Sequence, residues 1–163
     1  MTLSHALIIL RTIEAIIATA AYAVVAGLLI VDVVGREVFG RSFLGADQLA
    51  VFGAIVAGFL GLTLATSDNA HLRPAFMDFV LGKHEATAVR VGDVISAVFF
   101  FGAALTAWSF VAVSMEYQDK APVFYFVLWP LQIILPYAFA SCGVKHAIFA
   151  WYPALKPTAD GVH

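Results

Sequence analysis

Four long runs without a charged residue divide the chain. They extend over Ala15 to Val31, Gln48 to Ser67, Val94 to Met115 and Ala121 to Val144. In a helix that rises 1.5 Å per residue, about twenty residues cover the ~30 Å hydrocarbon core of a membrane. Lipid cannot satisfy unpaired backbone groups, so we expect helices and not open strands. The pattern predicts an all-α integral membrane protein with four transmembrane helices, at approximately 12–34, 48–67, 93–115 and 121–144.

The connection between the second and third runs carries a helical stripe of its own. One apolar face repeats at i, i+3, i+4, i+7 and i+8 through Leu72, Ala75, Phe76, Phe79 and Val80. Pro74 suits a first helical turn, and Gly82 suits a C-terminal stop. We expect a short amphipathic helix at approximately 72–82 that lies in the membrane interface. The alternative is an ordinary loop that packs two phenylalanine side chains.

The composition supports one membrane domain over residues 1–163. Hydrophobic residues make up 62% of the chain and charged residues 12%, and the mean hydropathy is +0.92. A soluble domain of this size would need more charge to cover its surface. The net charge of −2 gives no basic surface for nucleic acid. The single cysteine, Cys142, excludes a disulfide within the chain.

Lys and Arg counts predict the orientation. The termini and the second connection must share one side of the membrane, and they carry Arg11, Arg73, Lys83, Arg90, Lys145 and Lys156. The opposite side carries Arg36, Arg41 and Lys120. Cytoplasmic segments are enriched in Lys and Arg, so we expect both termini in the cytoplasm.

Small residues recur on faces of the first two spans. Gly53, Ala57 and Gly61 are spaced by four in the second span, and Thr19, Ala23 and Gly27 repeat this spacing in the first. Such faces allow helix backbones to approach closely, and dispersion contacts then hold the helices together. The spacing predicts a helix-packing face at Gly53, Ala57 and Gly61, against a span of this chain or of another.

Charged side chains are scarce inside the predicted spans, and the cores of spans two, three and four carry no Asp, Glu, Lys, Arg or His. Glu14 could carry a proton, or it could form a structural pair with Arg11 three residues earlier. Haem would need facing His ligands, but the histidines lie outside the spans or at an end: His5, His71, His84, His146 and His163. No phosphate loop or metal motif is present. We therefore predict no enzyme, no catalytic residue, no metal and no cofactor.

Two sets of residues carry a family resemblance. Around spans one and two, a fixed order of polar, aromatic and small residues runs through Asp32, Val33, Arg36, Phe39, Ser42, Asp47, Leu49, Gly61 and His71. Near span four, a Pro, a Trp and a second Pro are spaced by seven at Pro122, Trp129 and Pro136. In this order the chain resembles the small, DctQ-like membrane subunit of TRAP (tripartite ATP-independent periplasmic) transporters. It departs from that pattern at Gly45, where a Trp is common, at Gln48, which replaces an acidic residue, and at Arg73-Pro74.

The resemblance implies a transporter subunit of the bacterial inner membrane. In such systems a large permease of about a dozen spans carries the substrate and sodium sites. A periplasmic binding protein delivers an organic anion such as a carboxylate or sulfonate. The small subunit braces the large one during sodium-coupled uptake (symport). Arg36, Asp47 and Gln48, between spans one and two, are then expected to dock partner subunits.

We therefore predict the small permease subunit of a TRAP transporter, whose partners are the large permease, the binding protein and membrane lipids. One alternative is a self-contained four-span exporter that couples to protons through Glu14. A second alternative is a membrane anchor for a redox complex.

Overall fold

A computed structural model of the protein describes residues 3–42, 45–68 and 85–156. Its helices are α1 (Leu3–Phe39), α2 (Ala46–Ser67), α3 (Glu85–Tyr117), the single turn α4 (Trp129–Gln132) and α5 (Ile134–Trp151). A 3₁₀ turn at Pro153–Leu155 follows α5. Four helical stretches of the described chain are long and apolar enough to cross a membrane, which confirms the four long apolar helices of the predicted fold class. The expected interfacial helix at 72–82 lies outside the described residues.

The two ends of the bundle are named here by the helices that meet there. The proximal end is where α1 and α3 begin and where α2 and α5 end. The distal end is where α1 and α3 end and where α2 and α4 begin.

The last helix differs most from the predicted spans. Its expected range was 121–144, but α4 and α5 occupy Trp129 to Trp151. The residues before it form a compact hairpin, 118–128, in which Lys120 and Val127 make an antiparallel bridge. Gln118 and Tyr125 have positive φ angles of 53° and 55°, which a continuous helix cannot contain. The shift moves Lys145 from beyond the predicted span into the body of α5.

A proline explains the break between α4 and α5 at Ile133. Pro136 cannot donate a backbone hydrogen bond, and its ring conflicts with the carbonyl four residues earlier, at Gln132. The helix therefore restarts at Ile134.

The helices lie in a row in the order α1, α2, α5, α3. Burial follows this order: 11% of the most apolar window of α1 and 17% of that of α3 are buried, against 28% for α2 and 44% for α4–α5. The last helix in the sequence therefore lies between two earlier ones. The outer helices expose most of their apolar surface, as membrane helices do.

Small and aromatic residues hold the row together. A Cβ on Gly53 would come within 2.6 Å of Val25 Cγ2, so α1 and α2 touch where Gly53 has no side chain. Between α5 and α3, Phe139 packs against Phe100, whose ring stacks on His146 at a centroid distance of 5.6 Å. Of the predicted packing face, Ala57 is fully buried, whereas a Cβ on Gly61 would meet no other described element within 4 Å.

Candidate functional site

The predicted docking residues lie at the distal end, where α1 stops at a glycine. Gly40 has φ +62° and its N–H donates to the carbonyl of Arg36 at 3.1 Å, which is the common left-handed stop of a helix. The chain then folds back, and Ser42 Oγ donates to Asp32 Oδ1 at 2.8 Å. Arg36 Nη2 lies 3.0 Å from Asp32 Oδ2. Asp32, Arg36 and Ser42 form one cluster, the distal corner, in which Asp32 is buried and the Arg36 side chain is 57% exposed.

The 118–128 hairpin packs against the start of α2 through Gly45 and Gln48. Gly45 has φ +87°, and a Cβ there would lie 2.5 Å from the Phe124 ring. Gln48 Oε1 accepts a hydrogen bond from the Val123 N–H at 3.3 Å. Phe52 and Phe126 add an edge-to-face contact with centroids 5.8 Å apart. Two of the departures from the family pattern, Gly45 and Gln48, are therefore part of one intramolecular contact.

The three predicted docking residues thus have different surroundings. Arg36 lies in the distal corner, Gln48 binds the hairpin, and Asp47 is exposed in the first turn of α2. Negative charge is favourable at a helix N-terminus, which gives Asp47 a local role as well. Arg36 and Asp47 remain accessible to a second protein, whereas the Gln48 acceptor is already used.

The proximal end contains a buried ion pair that the sequence analysis assigned differently. Lys145 Nζ donates to Glu14 Oε2 at 2.6 Å and to the Thr63 carbonyl at 2.9 Å, and both charged side chains are 1% exposed. Ser141 Oγ and Tyr137 OH donate to Glu14 Oε1 at 2.7 and 3.2 Å. Tyr137, Ser141 and Lys145 come from three successive turns of one face of α5. The cluster joins α1, α2 and α5.

The expected pairing of Glu14 with Arg11 is wrong. Arg11 turns to Asp68 at the end of α2, with Nε donating to Oδ1 at 2.6 Å and Nη2 donating to Oδ2 at 3.2 Å. The physical reason is burial, since Glu14 faces the space between α2 and α5 whereas half of the Arg11 side chain is exposed. A cavity of about 240 Å³ beside Lys145 is lined in part by Arg11 and Asp68.

A second buried charge cluster ties α5 to α3. Asp93 accepts two hydrogen bonds from Lys156 Nζ, at 2.9 and 2.8 Å, and its Oδ1 lies 3.0 Å from His146 Nδ1. Lys156 follows the 3₁₀ turn, so this contact returns the chain after α5 to the start of α3. His146 therefore serves as a packing and hydrogen-bonding residue.

Two buried polar atoms of the distal half make no hydrogen bond within the described residues. They are Ser114 Oγ, near the end of α3, and Gln132 Oε1, at the end of α4. Such groups are uncommon in folded proteins and call for a structural reason.

One sequence signal for the buried ion pair was available. Positions 137, 141 and 145 are spaced by four and place a hydroxyl, a hydroxyl and an ammonium on one helix face. Lys145 directly followed the fourth charge-free run, and taking that run as the span placed the lysine at the membrane surface. A last span that begins at Trp129 places Lys145 inside the membrane, where a buried lysine requires a carboxylate partner.

Comparison with known proteins gives one match. The family model described as "Tripartite ATP-independent periplasmic transporters, DctQ component" matches residues 25–155. The matched segment contains the distal corner, the hairpin and Lys145, and it begins after Glu14. No curated protein and no solved structure matches the chain.

Proposed function

Because the chain belongs to the DctQ family of tripartite ATP-independent periplasmic transporter components, we propose that it braces the large permease of such a transporter during sodium-coupled uptake of an organic anion. Membership of this family makes the chain a component of a transporter. The permease partner, the periplasmic binding protein, sodium coupling and a carboxylate or sulfonate substrate are parts of the proposal.

The observation that carries the bracing role is the pairing of the buried charges. Glu14, Asp93 and Lys145 all bind other groups of the same chain. A subunit that bound the substrate or the ion itself would present unpaired polar groups in a cavity open to them. The geometry gives no support to an exporter based on Glu14, since Lys145, Ser141 and Tyr137 already engage its two oxygens.

The exposed outer helices support an assembly within the membrane. α1 and α3 lie at the two ends of the row and leave most of their apolar windows uncovered. We propose that the large permease covers part of this surface and that lipid covers the rest. We place both termini in the cytoplasm of a bacterium with the chain in the inner membrane, as the Lys and Arg counts favour. The distal corner then faces the periplasm, where the binding protein arrives.

Co-expression with the neighbouring membrane-protein gene tests the proposal. A tagged chain should co-purify with a membrane protein of about a dozen spans, and the pair should transport an organic anion only with its binding protein and a sodium gradient. Recovery of the tagged chain alone, with full stability and no partner, would refute the proposal.

Charge reversal locates the docking surface. Arg36→Glu and Asp47→Lys place like charges against the partner and should weaken recovery at least about tenfold. Arg90→Glu is the matched control, because Arg90 is exposed near the start of α3, away from the distal corner. An equal loss with all three variants would argue against docking at Arg36 and Asp47.

A further inference from the structure

The buried residues of α1 lie along one face. They are Glu14, Ala18 and Asp32. Glu14 and Asp32 are separated by about five turns at 3.6 residues per turn, so they lie above one another some 27 Å apart. A buried carboxylate therefore stands at each end of the face by which α1 contacts its neighbours. Only small and apolar residues lie between the two.

Contact with lipid does not fix the position of α1 along its axis. Its 37 residues span about 55 Å, whereas the hydrocarbon core is ~30 Å thick. Large apolar side chains are exposed along nearly the whole helix, from Ile8 to Phe39. A helix longer than the core can tilt or slide at modest cost, and contacts with neighbouring helices then decide its position.

The apolar contacts of α1 select its register only weakly. Val25 lies against Gly53 of α2, and the residues one and two turns before Val25, at positions 21 and 18, are alanines. A shift by one turn would place another small or aliphatic residue against Gly53. The same shift would move Glu14 one turn, about 5.4 Å, away from Lys145 and leave two unpaired buried charges.

We propose that the Glu14–Lys145 ion pair sets the axial register of α1 against α2 and α5, and so places the distal corner at the other end of α1. Lys145 of α5 also donates to the Thr63 carbonyl of α2, so the ion pair fixes the position of α1 relative to both α2 and α5. Buried ion pairs contribute little net stability compared with an apolar pair, but they penalise every arrangement in which one partner is missing. Glu14 and Lys145 are therefore positioning residues.

A disulfide reporter measures the register. A Cβ on Gly53 would lie 3.9 Å from Val25 Cβ, which is within the range for a disulfide. The in-register reporter is Val25→Cys with Gly53→Cys, in the full chain with Cys142→Ala so that no third thiol competes. Two reporters detect a one-turn shift in either direction: Ala21→Cys or Leu28→Cys, each with Gly53→Cys and with Val25→Ala to clear the Val25 methyl group.

Three backgrounds are compared in the same membranes after mild oxidation. With Glu14 and Lys145 intact, the in-register reporter should be the major cross-linked product. With Glu14→Leu and Lys145→Met together, the protein should remain folded, but the in-register product should become minor and an off-register product should appear. With the swapped pair Glu14→Lys and Lys145→Glu, the ion pair is restored without the hydrogen bond to the Thr63 carbonyl, so the in-register product should return in part.

Three results would overturn the proposal. An unchanged cross-linking pattern in the uncharged double variant would mean that other contacts set the register, either apolar packing or the Arg11–Asp68 ion pair. Loss of folding in that variant would make the pair an element of stability and not of register. An off-register pattern in a folded swapped variant would contradict the proposal as well.

The cross-linking readout needs no partner, so it is independent of the proposed function. The last step of the inference, that register places the distal corner for docking, rests on the proposed function. It is tested by recovery of the large permease, which should fall in the uncharged double variant and return in the swapped variant. If the parent chain recovers no permease, the proposed function fails while the register result stands.

Discussion

The two ends of the bundle are built in opposite ways. At the proximal end, buried charges join residues far apart in the sequence, such as Glu14 with Lys145 and Asp93 with Lys156. At the distal end the ion pair is local, between Asp32 and Arg36 on one helix, and two buried polar atoms have no partner within the described residues. The proximal end holds the four spans to one another. The distal end leaves the charged side chains of Arg36 and Asp47 exposed.

The strongest test of this contrast removes the cation of the proximal pair. Lys145→Met leaves the Glu14 carboxylate buried without its partner and should lower the free energy of unfolding by about 3–5 kcal/mol. Thermal or denaturant unfolding in detergent measures the loss. Lys120→Met is the control, because Lys120 is exposed and should change stability by less than ~0.5 kcal/mol. Equal effects of the two variants would remove the distinction between the ends.

Two glycine substitutions test the distal end, again through the free energy of unfolding. Gly45→Ala forces a side chain into a left-handed backbone and against the Phe124 ring, and should cost about 2–4 kcal/mol. Gly40→Ala has the same backbone problem at φ +62° but no atom within 4 Å, and should cost about 1 kcal/mol. The difference between the two unfolding free energies isolates the contact with the hairpin. If the two variants lose equal amounts of unfolding free energy, the packing of the hairpin against α2 does not depend on Gly45.

The second proximal cluster should contribute less than the first. Asp93→Asn keeps the shape of the side chain but removes the charge that binds Lys156 and His146, and should cost about 1.5–3 kcal/mol. Lys156 is 19% exposed, so water compensates part of the loss. The measurement is again unfolding in detergent, with Asp119→Asn, an exposed carboxylate in the distal hairpin, as the control. If Asp93→Asn lowers the free energy of unfolding as much as Lys145→Met does, the greater exposure of Lys156 does not make the second cluster weaker.

The smallest effect on stability is expected in the distal corner. Arg36→Gln removes an exposed partner of Asp32, while the Ser42 hydroxyl remains, so the loss should stay below ~1 kcal/mol. The same variant should weaken recovery of the large permease. A large stability loss without a change in recovery would reverse the roles assigned to the two ends.

The fold class could be predicted from the sequence because it depends on apolar length alone. Each charge-free run was long enough to span a membrane, and four such helices are present. Asp32, Arg36 and Ser42 were already noted as family-like positions, and the structure places them in one cluster. Local spacing is sufficient for such contacts, since all three belong to one helix end and the turn that follows it.

The proximal clusters could not be predicted in the same way. The pairing of Glu14 with Lys145 depends on which helices are neighbours, and apolar runs carry no such information. The start of the last helix also depended on the hairpin, where left-handed residues at Gln118 and Tyr125 displaced the helix toward the C-terminus. Neither residue is a glycine, so neither position carried the usual sequence mark of a turn.

The order of the row has a consequence for biogenesis. α5 follows α3 in the chain, yet it lies between α2 and α3, so its contacts with both can form only after these two earlier spans have been made. Until α5 and the turn after it join the row, Glu14 lacks Lys145 and Asp93 lacks Lys156. A chain truncated before Lys145 would leave both acids without these partners. Completion of the row and pairing of its buried acids thus depend on the same segment, α5 and the turn that follows it.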